Sequence, residues 1–223
     1  MKLVLNSFFL SLFFFCVPVF GEDYHKEFTV KVSGIKIGKL NWTIKIDDDE
    51  FFNDLKLKSE GVLSGIYRFE GEYFSEGVFQ NNKLKPTKYK HVWITNKTTK
   101  NMSLVFQDDK LKSLDQTPVE KEKLRINVFN INQSKDPLTS FLQIILGEKN
   151  SLVVDGRRTY VMNSIFNKKT EQTVVEISKY SNLWADHKRR KFEKLTFEKK
   201  DGDFFPIKIN IHFDGRVFKL EQN

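Results

Sequence analysis

Cysteine is almost absent from this sequence of 223 residues, which contains a single one, Cys16. A disulfide within the chain is therefore excluded, and a fold of this size must depend on its hydrophobic core. Histidine is also scarce: the four side chains are His25, His91, His187 and His212. They are too far apart in sequence to form a local metal motif, so we predict no metal site and no cofactor.

Catalytic motifs are missing as well. The chain has no G-x-S-x-G elbow, and Gly61–Gly65 resembles one only superficially. Glu70 and Glu72 would share one face of an extended strand, and glycan hydrolysis needs two carboxyl groups about 5–10 Å apart. Acidic residues on strands usually face solvent, however. A glycan-acting enzyme therefore stays the less favoured alternative, and we predict no catalytic residue.

Only one long apolar run exists, and it lies at the start of the chain. Lys2 precedes Leu3–Phe20, and Gly21 separates this run from the charged residues Glu22 and Asp23. This order is typical of a secretory signal peptide, so we predict a signal peptide over residues 1–21 with cleavage after Gly21. An uncleaved anchor is the alternative, because the run approaches the ~20 residues that span a bilayer. Phe13–Phe15 argue against lipidation of Cys16, which needs small residues before the cysteine.

The charge is moderately basic. Lysine and arginine number 37 against 29 acidic residues, giving +8, and removal of Lys2 leaves +7 for residues 22–223. The basic residues are scattered along the chain. This balance favours an acidic partner such as anionic lipid or an anionic envelope component. The export signal makes nucleic acid an improbable partner, and we predict none.

Alternation of apolar and polar residues dominates the rest of the sequence. From Phe28 to Ile46 the even positions are mostly apolar and the odd ones mostly polar. A period of two predicts half-buried antiparallel strands. Lys88–Thr95 alternates with Tyr89, His91 and Trp93 on one side. Asp214-Gly215, between two alternating segments, is the strongest hairpin signal. Gly61–Phe69 instead favours a short helix.

One segment, Asp136–Leu146, is predicted to be a longer helix. Asp136 suits the N-cap, Pro137 suits the first helical position and Gly147 suits the end. Apolar residues form a broad stripe at helical spacing, namely Leu138, Phe141, Leu142, Ile144, Ile145 and Leu146. We therefore predict a mainly β fold, a strongly curved antiparallel sheet or partly open barrel, wrapped on one buried helix at about residues 136–146. Residues 22–223 are expected to form a single domain.

Several short motifs in a fixed order resemble a known family. They are Gly34, Gly38 and Trp42; Gly61–Ser64 with Tyr67–Phe69; Leu84–Pro86 with Tyr89–His91; Asp136–Leu138; and Asp155–Arg158 with Tyr160. Over about residues 28–220 the chain resembles the exported Gram-negative bacterial proteins called domain of unknown function 3108. The resemblance implies a β-rich periplasmic protein, and it carries over neither an enzyme activity nor catalytic residues.

Two groups of residues are candidates for ligand binding. By analogy with periplasmic half-barrels that hold acyl chains, Trp42, Trp93, Phe141 and Ile145 would line a cavity for a lipid between sheet and helix. Arg157 and Arg158 would present guanidinium groups to a phosphate or carboxylate. Alternatively, one of these arginines pairs with Asp136 or Asp155. A role in envelope interaction or assembly, using sheet edges and basic loops such as 187–191, is the other hypothesis for the function.

Overall fold

The computed structural model describes residues 22–223 except positions 48, 66–67, 185–191 and 201–202. The predicted signal peptide and the basic run 187–191 lie outside these residues. The first half contains seven strands: β1 (Glu22–Val32), β2 (Ile35–Asp47), β3 (Glu50–Ser59), β4 (Phe69–Gln80), β5 (Lys83–Thr95), β6 (Thr99–Gln107) and β7 (Lys110–Thr117). The second half contains β8 (Ser134–Lys135), the helix α1 (Pro137–Ile145), β9 (Asn150–Val154), β10 (Arg158–Asn167), β11 (Gln172–Asn182), β12 (Phe192–Glu198), β13 (Lys208–Phe213) and β14 (Arg216–Gln222).

All fourteen strands belong to one sheet, in the order β7-β6-β5-β4-β3-β2-β1-β14-β13-β12-β11-β10-β9-β8. Neighbours pair antiparallel except β8 and β9, which are parallel. Because β1 pairs with both β2 and β14, the first and last strands meet in the middle of the sheet. The strands β7 and β8 are therefore its two edges.

The two edges lie close to each other, so the sheet is a nearly closed barrel. We call the gap between β7 and the β8–β9 pair the seam, and residues 118–133 the connector. At one end of the seam, Lys110 of β7 forms an antiparallel bridge with Asn132, and the amide of Gln133 donates to the carbonyl of Asp109 at 2.8 Å. At the other end, the connector residue Leu124 bridges Trp184.

The predicted alternation in the first strands is present. In β2, Leu40, Trp42 and Ile44 are buried and belong to the main core, whereas Asn41 and Lys45 are exposed. Asp214 and Gly215 have φ values of 50° and 71°, the left-handed conformation that a two-residue hairpin turn requires. This hairpin prediction is confirmed. A short 3₁₀ helix, Val62–Gly65, lies where we predicted a helix over Gly61–Phe69, but Phe69 already belongs to β4.

The helix is shorter and less central than predicted. Its nine residues end at Ile145, and at 1.5 Å per residue it is about 14 Å long. Only Leu142, Ile144 and Ile145 join the fully buried members of the main core, and most other members come from strands. The expectation that the sheet wraps on this helix is therefore not supported, since fourteen strands bury side chains mainly against one another.

Candidate functional site

Three of the four predicted cavity residues pack together in the core. Trp42 is 1% exposed, its ring stacks on Phe141 at a centroid distance of 5.8 Å, and its Nε1 donates to Oδ1 of Asn53 at 2.7 Å. Ile145 is 4% exposed in the same cluster. Phe205 fills the space on another side of Trp42, edge-on at 5.1 Å. These contacts place side chains where the sequence suggested a ligand.

The fourth residue, Trp93, lies elsewhere. It is half-buried on β5, where its ring stacks on Phe69 at 5.8 Å and covers the buried Gly71 of β4. In the register of β5, Trp93 is two residues from His91, so both side chains point to one face of the sheet. The structure therefore separates Trp93 from the Trp42 cluster and associates it with His91.

The two predicted arginines belong to a tight turn between β9 and β10. Oδ1 of Asp155 accepts hydrogen bonds from the amides of Arg157 at 2.8 Å and Arg158 at 2.7 Å. Gly156 has a φ of 83°, and a Cβ on it would overlap Sδ of Met102. Only glycine suits both the left-handed conformation and this close approach of backbone to side chain.

Arg158 forms the structural pair that the sequence left open. Its Nη1 lies 3.5 Å from Oδ2 of Asp155, and its guanidinium lies 5.8 Å from the centroid of the Tyr180 ring. Burial raises the pKa of Asp155, and the charge of Arg158 together with the two backbone amides lowers it in part. Asp136 contacts neither arginine through any of its hydrogen bonds, which go to Ser75, Leu138 and Thr139. Arg158 thus holds the turn, whereas Arg157 interacts electrostatically with His91.

Three side chains lie side by side near this turn, one from each of β5, β6 and β7. His91 is directly opposite Met102, and Met102 is directly opposite Gln116. Residues opposite each other in an antiparallel pair point to the same face. Met102 also contacts Gly156 across the seam, so the three side chains lie beside the Asp155–Arg158 turn. We call His91, Met102 and Gln116 the seam triplet.

Several polar atoms of the seam triplet are buried without a hydrogen-bond partner among the described residues. These atoms are Nε2 of His91 and both side-chain amide atoms of Gln116. A buried polar group left in this way costs about 1–3 kcal/mol. Burial, together with the charge of Arg157, lowers the pKa of His91 to about 4, and its ring stacks on Tyr73 at 4.4 Å. His91 is therefore neutral at pH 7, and the triplet offers donors and acceptors near a guanidinium.

A groove of about 600 Å³ opens beside the triplet. Its walls come from β5, β6, the end of β7, the start of the connector and the loop after β11. They are formed by Lys90, Val92, Asn101, Met102, Ser103, Leu114, Asp115, Gln116, Thr117, Val119, Glu120 and Trp184. The indole Nε1 of Trp184 donates to the carbonyl of Gly156 at 3.2 Å, which fixes this wall to the Asp155–Arg158 turn. Five of these side chains are apolar and seven are polar or charged. Ligand sites usually combine apolar surface with polar groups in this way.

The carboxylates considered for glycan hydrolysis lie on another surface. Glu70 and Glu72 alternate with the buried Gly71, so they are on the opposite face of β4. Arg68 contacts Glu70 and lowers its pKa, whereas a general acid needs a raised pKa.

Within the described residues, no three His, Cys, Asp or Glu side chains gather to hold a metal ion. No helix in this part of the chain is long and apolar enough to cross a membrane.

Sequence reasoning named Arg157, Arg158 and Trp93 as candidates for ligand binding but named no member of the triplet as one. The alternation of Lys88–Thr95 correctly predicted that Tyr89, His91 and Trp93 share a face. Nothing in the sequence indicated that Met102 and Gln116 would be their neighbours, because strand register is a long-range property. An isolated glutamine in a strand carries no signal of its own.

Comparison with known proteins supports the fold and the family. A crystal structure of a beta-barrel-like protein of domain of unknown function DUF1849 from Brucella abortus is similar to this chain. The TM-score is 0.51 at 7% identity, and the match covers 91% of this chain and 95% of the other. At that identity the likeness shows the fold alone. No curated protein matches the sequence.

The family assignment confirms the resemblance seen in the sequence motifs. A family model described as protein of unknown function (DUF3108) matches residues 27–183, which span β1 through β11. The match includes the seam triplet and the Asp155–Arg158 turn. The chain belongs to the DUF3108 family of proteins of unknown function.

Proposed function

We propose that the protein is an exported, non-enzymatic binding protein of the periplasm that holds an apolar ligand with an anionic group. The ligand occupies the groove at the seam, and its anionic group meets the seam triplet near Arg157. The observation that carries this proposal is a set of buried polar atoms without hydrogen-bond partners among the described residues, Nε2 of His91 and the side-chain amide of Gln116, beside a groove with apolar and polar walls.

The chemistry of the groove selects the ligand class. Val92, Met102, Leu114 and Trp184 supply apolar surface for a chain or ring system. The amide of Gln116 can donate to a carboxylate or phosphate, and the charge of Arg157 favours an anion there. The Trp42 cluster is already filled by Phe141 and Phe205. For this reason we place the lipid or other apolar ligand at the seam and not between sheet and helix.

Fluorescence quenching tests the binding site directly. Trp184 lines the groove, so a brominated medium-chain fatty acid should quench its emission in a saturable way, and the corresponding brominated alcohol should quench it more weakly. Gln116→Leu should weaken fatty-acid binding about tenfold, since one charge-assisted hydrogen bond contributes about 1.5–3 kcal/mol. The control is Gln107→Leu, at an exposed glutamine that is the last residue of β6. This variant should bind the fatty acid with unchanged affinity.

Equal affinity of the two leucine variants would contradict the proposed site. Loss of fold would not be mistaken for loss of binding, because Gln116→Leu removes an unpartnered buried amide and should leave the melting temperature unchanged or higher.

The proposed export to the periplasm is tested by a separate measurement. Protein recovered from the periplasmic fraction should begin at Glu22, and recovery of an intact leader in the cytosol would overturn it.

A further inference from the structure

Two large apolar side chains stand exposed at the end of the β10–β11 hairpin. Ile165 is 61% exposed and Phe166 is 60% exposed. Other described apolar residues of high exposure, such as Ile35 at 60% and Val119 at 80%, stand singly along the chain. Single exposed apolar residues are ordinary, but two consecutive ones near the end of one hairpin are a candidate interaction site.

The hairpin projects beyond the strands on both sides of it. Pairing of β10 with β9 ends at Asn163, and the last contact on that side joins the amide of Ser164 to the carbonyl of Lys149 at 2.7 Å. Pairing of β11 with β12 ends at Thr173, and Nε2 of Gln172 donates to Oε1 of Glu198 at 2.7 Å. Residues 165–171 extend past the β9 anchor, and residues 168–171 extend past both anchors. We call residues 165–171 the hairpin tip.

Basic side chains surround the exposed pair. Lys168 and Lys169 are exposed in the hairpin tip itself, together with one acidic residue, Glu171. Lys149, Lys199 and Lys200 are exposed at the neighbouring strand ends, which the Ser164 and Gln172 hydrogen bonds place beside the tip. The acidic Glu148 precedes Lys149, and Nζ of Lys199 donates to the carbonyl of Ile145 at 3.3 Å. Glu198 is partly neutralised by Lys208 at 3.7 Å. The tip and the neighbouring strand ends therefore combine exposed apolar side chains with an excess of basic residues.

We propose that the hairpin tip docks the protein on an anionic phospholipid surface. Ile165 and Phe166 are consecutive in a strand, so their side chains point to opposite faces. A protein partner would have to enclose the hairpin from both sides, whereas a bilayer surrounds a projecting tip as it enters. Apolar side chains then lie among the upper acyl chains, and lysines contact the anionic head groups. This proposal does not depend on the seam groove or its ligand.

Vesicle flotation measures the docking. Wild-type protein should float with vesicles of phosphatidylethanolamine and phosphatidylglycerol, and much less with phosphatidylcholine alone. Ile165→Ser/Phe166→Ser should lower the partition coefficient roughly tenfold or more. Lys168→Glu/Lys169→Glu should lower the partition coefficient by a similar factor and reduce its salt dependence, since basic residues near an anionic surface are attracted to it electrostatically.

The matched control is Ile35→Ser, because Ile35 is equally exposed on the β1–β2 hairpin at the opposite ends of the strands. It should bind like wild type. A Phe166→Trp variant should show a blue shift of its tryptophan emission with anionic vesicles. This measurement does not depend on whether the serine and glutamate variants fold. Failure of the wild-type protein to float would overturn the proposal, as would equal flotation of the tip and control variants. Failure to float with crosslinking of the tip to a protein would assign the surface to a protein partner instead.

Discussion

Individual side chains decide the character of the candidate site, and His91 is the most informative of them. It lies between the Tyr73 ring and Met102, with Nε2 buried and the charge of Arg157 nearby. Both burial and the positive charge disfavour its protonated form. His91 therefore carries no charge beside the groove at pH 7, and Arg157 is a positive charge that acts on it.

We predict that His91 makes the protein less stable as the pH falls from 6.5 to about 4. In this range the unfolded chain binds a proton at His91 and the folded protein does not. The free energy of unfolding therefore falls by up to about 3 kcal/mol. His91→Phe keeps the stacking on Tyr73 and removes the titration. Urea unfolding at pH 7.5 and pH 4.5 should show a larger loss of stability for wild type than for this variant.

Comparing the loss of stability of wild type with that of His91→Phe distinguishes the effect of His91 from that of the buried carboxylates. Burial raises the pKa values of Asp136 and Asp155, and these groups contribute stability that is lost as the pH rises, the opposite direction. They are present in both proteins and cancel. Equal losses of stability in wild type and His91→Phe would show that His91 titrates normally.

At the scale of the element, α1 is joined to the sheet through its N-cap. Oδ1 of the fully buried Asp136 accepts from the amides of Leu138 and Thr139 at 2.9 Å. Oδ2 accepts from Oγ of Ser75 on β4 at 3.0 Å and from Oγ1 of Thr139. One carboxylate therefore begins the helix and fixes it to a strand 61 residues earlier in the chain.

We predict that Asp136→Ala lowers the free energy of unfolding by about 2–4 kcal/mol, because it removes the cap and leaves buried hydroxyls and amides unpartnered. Asp136→Asn keeps an oxygen acceptor and should cost less than about 1 kcal/mol. Chemical denaturation at pH 7 distinguishes the two. A similar cost for both variants would mean that the charge, and not the hydrogen-bond geometry, holds the helix.

The start of this helix was predictable because its signals are local. Asp136 and Pro137 are typical of a helix start and Gly147 is typical of a helix end. The structure confirms Asp136 as the N-cap. The attachment to Ser75 was not predictable, since no pattern at position 75 indicates a partner so distant. For the same reason, the predicted wrapping of the sheet on this helix is not supported by the structure.

At the scale of the whole molecule, the first and last strands form the centre of the sheet. Leu220 on β14 pairs with Val30 on β1 and with Ile209 on β13, and all three are buried. Without β14, the strands β1 and β13 would each lack a partner on one side, and the two halves of the sheet would not be joined. Unfolding should therefore involve the whole sheet at once.

We predict that Leu220→Ala costs about 2–5 kcal/mol and lowers the melting temperature of the entire protein in a single transition. Ile165→Ala, at a site that is 61% exposed, should change stability by less than about 0.5 kcal/mol. Near- and far-ultraviolet circular dichroism should give coincident curves. Separate transitions for β1–β7 and β9–β14 would contradict a single cooperative sheet.

The sequence alone determined what depends on neighbours in the chain. Alternation predicted strands, the Asp214-Gly215 pair predicted a hairpin, Asp136-Pro137 predicted a helix start, and ordered motifs indicated the DUF3108 family. Each of these signals arises from steric and hydrogen-bonding preferences over a few residues.

Only the tertiary structure decided which strands meet. It brought β7 to the seam, aligned His91, Met102 and Gln116 across three strands, and filled the space around Trp42 with Phe141 and Phe205. The physical reason is that a backbone hydrogen-bond ladder accepts almost any side chain. Register and closure therefore follow from the packing of the whole core, which no short stretch of sequence contains.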